Sequence, residues 1–341
     1  MPDLVERFGT AASGASVLAH EYGHAISARA GVFDLDLPTV DTEQQADCFS
    51  GAWAAHIARG ESPGFDFSDE DLQAFIVATI EIGDAVGGDV TDPGRHGTGF
   101  DRVGAMQEGF LYGPERCATF IESPFPRVDL IFSEAEFESG GNLPYEEAIS
   151  LVPPSLDTFW APTLDAAAVP FTPPTLTTFP GDGPYPDCDG LTGDDLRNRA
   201  TFCVSSNTIA LDETFGQDLY TRFGDLAVGY PIATAYGDAV QTALDTGLTG
   251  ERRALLDDCL VGAWLIDIIP APGSDPADAL PTNANQAIVL SAGDLDEVVQ
   301  VAVIVGDDAT NANVIGTAFE KVDAFRHGVL GGLNVCQGLL G

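Results

Sequence analysis

The chain has 341 residues, of which 53 are Asp or Glu and 14 are Lys or Arg, giving a formal charge of −39. A field of that sign repels a phosphate backbone, so no nucleic-acid partner is expected. Hydrophobic residues make up 45%, enough for a packed core despite the charge, and the length predicts about two domains.

From residue 11 to 30 the sequence is small, apolar and free of proline, and it stops at Gly31, which predicts a helix with a glycine end. Thr42 and Gln45 form a T-x-x-Q capping box that starts a second helix, closed by Gly60 after Arg59. Ser68 and Asp71 repeat the start signal for a third helix running towards Gly83, and residues 100–110 predict a fourth. Between 121 and 200 the character changes. Nine prolines fall between Pro153 and Pro186, and Gly140-Gly141-Asn142 reads as a hairpin turn after a strand-like run at 128–132. This predicts a β-rich or irregular connecting segment. A strand over 207–212 follows, and helical patterns then return to the end. No stretch approaches the roughly 18 uninterrupted apolar residues of a membrane helix, and the first thirty residues lack the pattern of a signal peptide.

The sequence repeats itself. Asp3-Leu4 and Arg7-Phe8-Gly9 recur as Asp218-Leu219 and Arg222-Phe223-Gly224, and Tyr22-Gly23 recurs as Tyr236-Gly237. Asp47-Cys48 with Gly51-Ala52-Trp53 recurs as Asp258-Cys259 with Gly262-Ala263-Trp264. Ser68, Asp71 and Gly83-Asp84 return as Ser291, Asp294 and Gly306-Asp307, and Gly97-Thr98 through Cys117 return as Gly316-Thr317 through Cys336. The order is kept and the spacing drifts only as loop insertions would make it. The fold class expected is mainly α (α+β): a helical module at 1–120, a Pro-rich, partly β connecting segment at 121–202, and a second copy of the module at 203–341.

His20-Glu21-Tyr22-Gly23-His24 is an H-E-x-x-H motif inside the first helix. Four residues are about one turn, so both imidazoles reach one side and can share Zn²⁺, with Glu21 beside the metal-bound water as general base. Glu43 follows His24 by 19 residues, and a helix–turn–helix can swing its carboxylate onto the same metal. The alternative role for Glu43 is to favour the helix N-terminus electrostatically. Asp47, one turn later, faces the same way and can accept a hydrogen bond from a ligand imidazole.

The string HEYGH, followed by EQQADCFSGAW and HGTGFDRV, resembles the bacterial predicted neutral zinc metallopeptidases, of gluzincin type with an H-E-x-x-H…E-x-x-A-D pattern. The resemblance implies a zincin-like module, one Zn²⁺ held by His20, His24 and Glu43, Glu21 as catalytic base and a peptide or protein substrate. It also implies that His96, six residues before Arg102, approaches the open metal position or the oxyanion; the alternative is a loop histidine without a role. His56 and His327 read as surface residues. The likeness would make the chain a metalloendopeptidase, the competing expectation being an inactive pseudopeptidase whose zinc supports binding.

In the second copy His20, Glu21, His24 and Glu43 are replaced by Thr234, Ala235, Asp238 and Ala254, whereas Asp258, Cys259 and Trp264 remain. One active and one degenerate module are expected. The same correspondence pairs the cysteines as Cys48–Cys117 and Cys259–Cys336, leaving Cys188–Cys203; the alternative is reduced, buried thiols. With the resemblance, the pairing predicts an extracellular or cell-envelope location. The strand at 207–212 precedes only the second copy. The first copy's leading strand is therefore expected upstream, or from the connecting segment.

Overall fold

The computed structural model describes residues 10–89, 92–128, 130–271, 275, 279–305 and 318–340. The repeat landmarks Asp3, Leu4, Arg7, Phe8, Gly9, Gly306, Asp307, Gly316 and Thr317 lie outside the described residues, as does the expected strand ahead of the first copy. The chain is mainly helical with one small sheet, and it divides into two compact units. The first is Met1–Ile131 with Thr317–Asp323; the second is Phe132–Gly316 with Ala324–Gly341. The Pro-rich segment thus falls mostly within the second unit.

In the first unit, α1 (Ala11–Arg29) starts where Thr10 accepts a hydrogen bond from the Ala12 amide and ends before Gly31, whose φ of 77° suits glycine. Helix α2 (Thr39–Ala58) begins directly after Pro38, three residues ahead of the expected capping box. Thr42 is inside the helix with its hydroxyl donating to the Thr39 carbonyl, and Gln45 reaches away, donating to the Cys117 carbonyl and accepting from Ser27. Proline supplies the preset φ that starts the helix, so the Thr/Gln pair is free for tertiary contacts. The Ser68–Asp71 capping box does form and opens α3 (Asp69–Glu81). Thr98 caps α4 (Gly99–Tyr112), and α5 (Pro114–Ala118) carries Cys117 onto Cys48.

The connecting segment departs further from expectation. The 128–132 run forms no strand among the described residues; the Val128 amide donates to the Asp101 carboxylate instead of to a neighbouring strand. Gly140 closes the helical turn α6 (Glu136–Ser139) rather than a hairpin. The segment after it is α7 (Tyr145–Ala166), a 22-residue helix that contains Pro153, Pro154 and Pro162. Proline deletes a helical hydrogen bond, but Pro154 and Pro162 are exposed and lie off the face that packs. The buried stripe of Val152, Leu156, Trp160 and Leu164, at i, i+4, i+8 and i+12, holds the helix down.

Strands β1 (Thr175–Phe179), β2 (Ala200–Cys203) and β3 (Thr208–Asp212) form a sheet in the order β1-β3-β2, with β1 parallel and β2 antiparallel to β3. The short helix α8 (Gly193–Leu196) lies between the first two strands in sequence. The connecting segment therefore supplies two strands to the second copy's own strand. Cys188–Cys203 pins the loop between β1 and β2. Helix α9 (Glu213–Arg222) leads into α10 (Asp225–Leu244), α11 (Glu251–Ile268) and α12 (Asp294–Val305). Helix α13 (Ala318–Gly331) spans the boundary between the units, and α14 (Leu333–Cys336) brings Cys336 to Cys259.

Contacts follow the repeat. A Cβ at Gly23 would stand 2.7 Å from the Ala46 carbonyl oxygen, and one at Gly237 would stand 2.5 Å from Asp257, the residue at the matching place. Gly51 and Gly109 let α2 and α4 touch backbone to backbone: an added Cβ would lie 1.8 Å from Met106 O and from Cys48 O respectively. Gly262 and Gly328 do the same for α11 and α13, against Phe325 O at 2.2 Å and Cys259 O at 2.1 Å. The repeated glycines mark close helix crossings.

Candidate metal centre

The crossing of α1 over α2 at Gly23 decides the site, because it brings the base of the histidine helix against the second turn of α2. His20 and His24 lie one turn apart on α1 and point their Nε2 atoms at one another across 3.1 Å. Glu43 Oε2 completes a triangle, 3.1 Å from His20 Nε2 and 3.2 Å from His24 Nε2. His20 and Glu43 are buried and His24 is partly so.

His20 Nδ1 lies 2.7 Å from Asp47 Oδ1. Asp47 in turn accepts from Arg102 Nε at 2.9 Å and Nη2 at 3.0 Å, a two-pronged pair between groups each 1% exposed. Burial alone would push the His20 imidazole's pKa down. The charge and hydrogen bond of Asp47, with the hydrogen bond of Glu43, outweigh it and lift the pKa from 6.5 to about 9. Burial raises Glu43, but the two histidines win and hold its carboxyl below the usual carboxylate range. Asp47 is likewise held down, by Arg102 and His20 against its own desolvation.

The donor set can be tested for a metal on its own chemistry. With Nδ1–H donating to Asp47, a neutral His20 presents a lone pair at Nε2. It meets a carboxylate oxygen and a second imidazole nitrogen at hydrogen-bond distance. One proton can bridge one edge of that triangle, whereas a divalent cation satisfies all three corners. A tetrahedron with metal–ligand bonds of about 2.0–2.1 Å has edges of roughly 3.3–3.4 Å, close to the spacings found here. The three residues fit Zn²⁺.

Around this triangle the remaining expected residues fall at different depths. Glu21 is exposed on α1, about 60° round the helix from His24. His96, in the loop before α4, brings Nε2 to 3.8 Å from Glu43 Oε2, and its side chain is 43% exposed. The group that aims it is Asp84. Its Oδ1 is 3.0 Å from His96 Nδ1, and its Oδ2 accepts from the His96 and Gly97 amides. Those hydrogen bonds overcome burial and keep the Asp84 carboxyl low. In the sequence Gly83-Asp84 is a landmark of the repeat, and the one signal for the role of Asp84 is an acidic residue twelve positions ahead of His96 in a glycine-rich loop. His56 and His327 are exposed, His56 beside Glu61 at 2.9 Å.

The second unit has no such triangle at the matching place. Thr234 donates its hydroxyl to the Pro231 carbonyl, and Asp238 pairs with Arg253 at 2.5 Å. The retained Asp258 has exchanged its imidazole partner for a tyrosine one turn earlier, with Tyr230 Oη donating at 2.5 Å.

All six cysteines are paired, as Cys48–Cys117, Cys188–Cys203 and Cys259–Cys336. The bridges are compatible with an oxidising compartment. No described helix is long and apolar enough to cross a membrane.

No family model matches the chain, and no solved structure matches it. Uncharacterized proteins of Mycobacterium bovis and Mycobacterium tuberculosis are 31% identical to it over 141 residues, which cover 34% of this chain and 48% of each relative. The chain therefore spans about half the length of the curated relatives it matches, and their names assign no activity.

Proposed function

We propose that the first unit is a zinc-dependent endopeptidase, with His20, His24 and Glu43 holding one Zn²⁺. The observation that carries this is the convergence of three potential ligand atoms at 3.1–3.2 Å, with the first imidazole fixed from behind by the buried Asp47–Arg102 pair. Bound zinc supplies Lewis acidity, which polarises a scissile carbonyl and brings the pKa of a water towards neutrality. The protein's own groups do the rest. Glu21, exposed beside His24, takes a proton from the attacking water and passes it to the departing amine. Asp47 keeps the His20 proton on Nδ1, so that Nε2 stays a ligand. His96, carrying a proton on each ring nitrogen, donates from Nδ1 to Asp84 and offers its Nε2–H to the carbonyl oxygen as that atom gains negative charge. The substrate is a peptide or protein, met in the extracellular space or cell envelope where the three disulfides persist.

The second reading is a zinc-stabilised binding protein without catalysis. One observation favours it: among the described residues the first unit has no strand to pair with an extended substrate. Elemental analysis of the purified chain beside Glu43→Ala tests the metal site, and hydrolysis of a denatured protein substrate beside Glu21→Gln tests the chemistry. The endopeptidase reading expects about one zinc per chain, lost in Glu43→Ala, and proteolysis abolished in Glu21→Gln with zinc retained. Zinc without proteolysis in the wild type gives the second reading; activity surviving Glu21→Gln removes Glu21 as the base.

A further inference from the structure

Among the described residues, the duplicated helices α1 and α10 are buried on different numbers of sides. Helix α1 packs on α2 and α3, and α10 packs on their counterparts α11 and α12. Helix α10 is also covered by α7, α9, β2 and β3. The positions that face this extra cover, Ile232, Tyr236 and Val240, are each 0% exposed. Their counterparts on α1 are Leu18, Tyr22 and Ile26, at 58%, 64% and 36% exposed. With Trp53 and Phe65 they line an open groove of about 750 Å³. At about 100° per residue this stripe is turned well over 100° from His20 and His24, so the groove lies on the back of the histidine helix and is no part of the metal centre.

The second unit shows what such a face takes. Helix α7 lays its apolar stripe against α10 and offers two polar groups. Tyr236 Oη donates to Asp157 Oδ1 at 2.8 Å, and Trp264 Nε1 donates to Ser155 Oγ at 3.0 Å. Both donors are repeated in the first unit, as Tyr22 and Trp53, where both line the groove. The surface therefore keeps the apolar stripe and the two hydrogen-bond donors of a helix seat. The described residues hold one helix of the required pattern, and it is already seated on α10.

We propose that the groove behind α1 is a docking site for an amphipathic helix of a partner protein. That helix presents apolar side chains at i, i+4 and i+8, with a hydroxyl and a carboxylate two residues apart to meet Trp53 and Tyr22. The proposal is independent of the metal reading, since it concerns the opposite face of α1.

The test uses the full chain and a dye-labelled synthetic peptide with the sequence of residues 145–166, followed by fluorescence anisotropy. Saturable binding is expected, weakened about tenfold or more by Leu18→Glu, a change at an exposed position that leaves the helical circular dichroism intact. Tyr22→Phe and a peptide carrying Asp157→Ala should each weaken binding about fivefold, and together no more than either alone. Absence of binding up to millimolar peptide, or binding indifferent to Leu18→Glu, overturns the proposal. So does sedimentation in which Leu18→Glu converts a dimer to a monomer, which assigns the groove to a second copy. Flotation with anionic liposomes that depends on Leu18 overturns it in favour of a lipid surface.

Discussion

Replacing Asp47 should injure the first unit more than any other single change at the metal centre, and the injury should depend on pH. Asp47 is 1% exposed and serves two cations at once, the His20 imidazole and the Arg102 guanidinium, itself 1% exposed. In metal-free Asp47→Asn, Arg102 is left buried without its hydrogen-bonded counter-ion, Glu43 and Asp84 acting on it only through their charge, and breaking such a pair costs about 3–5 kcal/mol. The His20 part has its own pH window. Its folded pKa, about 9, lies above the unfolded 6.5, so its contribution is complete below pH 6.5 and fades as pH rises through 9. That span is worth roughly 3 kcal/mol, shared between Asp47 and Glu43. The cost of Asp47→Asn should therefore be larger at pH 6 than at pH 10, while the Arg102 part persists at both. Denaturant unfolding of chelator-treated protein at the two pH values measures this, and Arg102→Met in the same background should recover much of the loss. A cost below about 1 kcal/mol at pH 6 would refute the buried-pair argument. Equal costs at both pH values would refute the His20 part.

Closing the 69-residue separation between Cys48 and Cys117 restricts the unfolded chain by about 4 kcal/mol, so the paired Cys→Ala variant should lose that much, against about 3 kcal/mol for Cys188–Cys203 with a separation of 15; denaturant midpoints of the two variants give the comparison. Gly51→Ala should destabilise the first unit by about 3 kcal/mol or more, because its methyl meets the Met106 carbonyl rather than a movable side chain; proteolysis that nicks the first unit no faster than in wild type would contradict this. In the second unit Asp225, Asp294 and Glu297 are buried together and each carboxyl is raised, first by desolvation and then, for Asp294 and Glu297, by its neighbours. Groups raised on folding stabilise below their unfolded pKa and lose that contribution as pH climbs, so this unit should be more stable at pH 5 than at pH 8, as tryptophan fluorescence near Trp264 can follow.

What could be read from the sequence was whatever depends on short spacing or on comparison of the two copies. H-E-x-x-H places two imidazoles together by helix geometry alone, and the Ser68–Asp71 box forms as read. The repeat assigned the cysteines correctly, since equivalent positions on equivalent helices must bridge alike. Helix α7 was hidden by its prolines: local propensity argued against a helix, and the burial of Leu156 and Trp160 that overrides it is a tertiary fact. The start of α2 was misplaced for a related reason, Gln45 being engaged across the fold with Ser27 and Cys117 rather than at a cap. Asp84 escaped because its task is set by a loop folding back on itself, and no spacing rule covers a carboxylate that receives two backbone amides and an imidazole.

The glycine contact between α2 and α4 has a mechanical consequence for the metal centre. With Gly51 and Gly109 seated on opposing carbonyls, and Cys48–Cys117 stitched beside them, these two helices cannot slide or roll without colliding main chains. Glu43 and Asp47 on one, and Arg102 on the other, therefore ride on a single stiff chassis. The histidines ride on α1, which rests on α2 through Gly23 and is open to solvent along its far side. If the triangle holds an ion, its adjustment to that ion's radius would be a tilt of α1 against this chassis, limited by the seats of α1 on α2 at Gly23 and on α3.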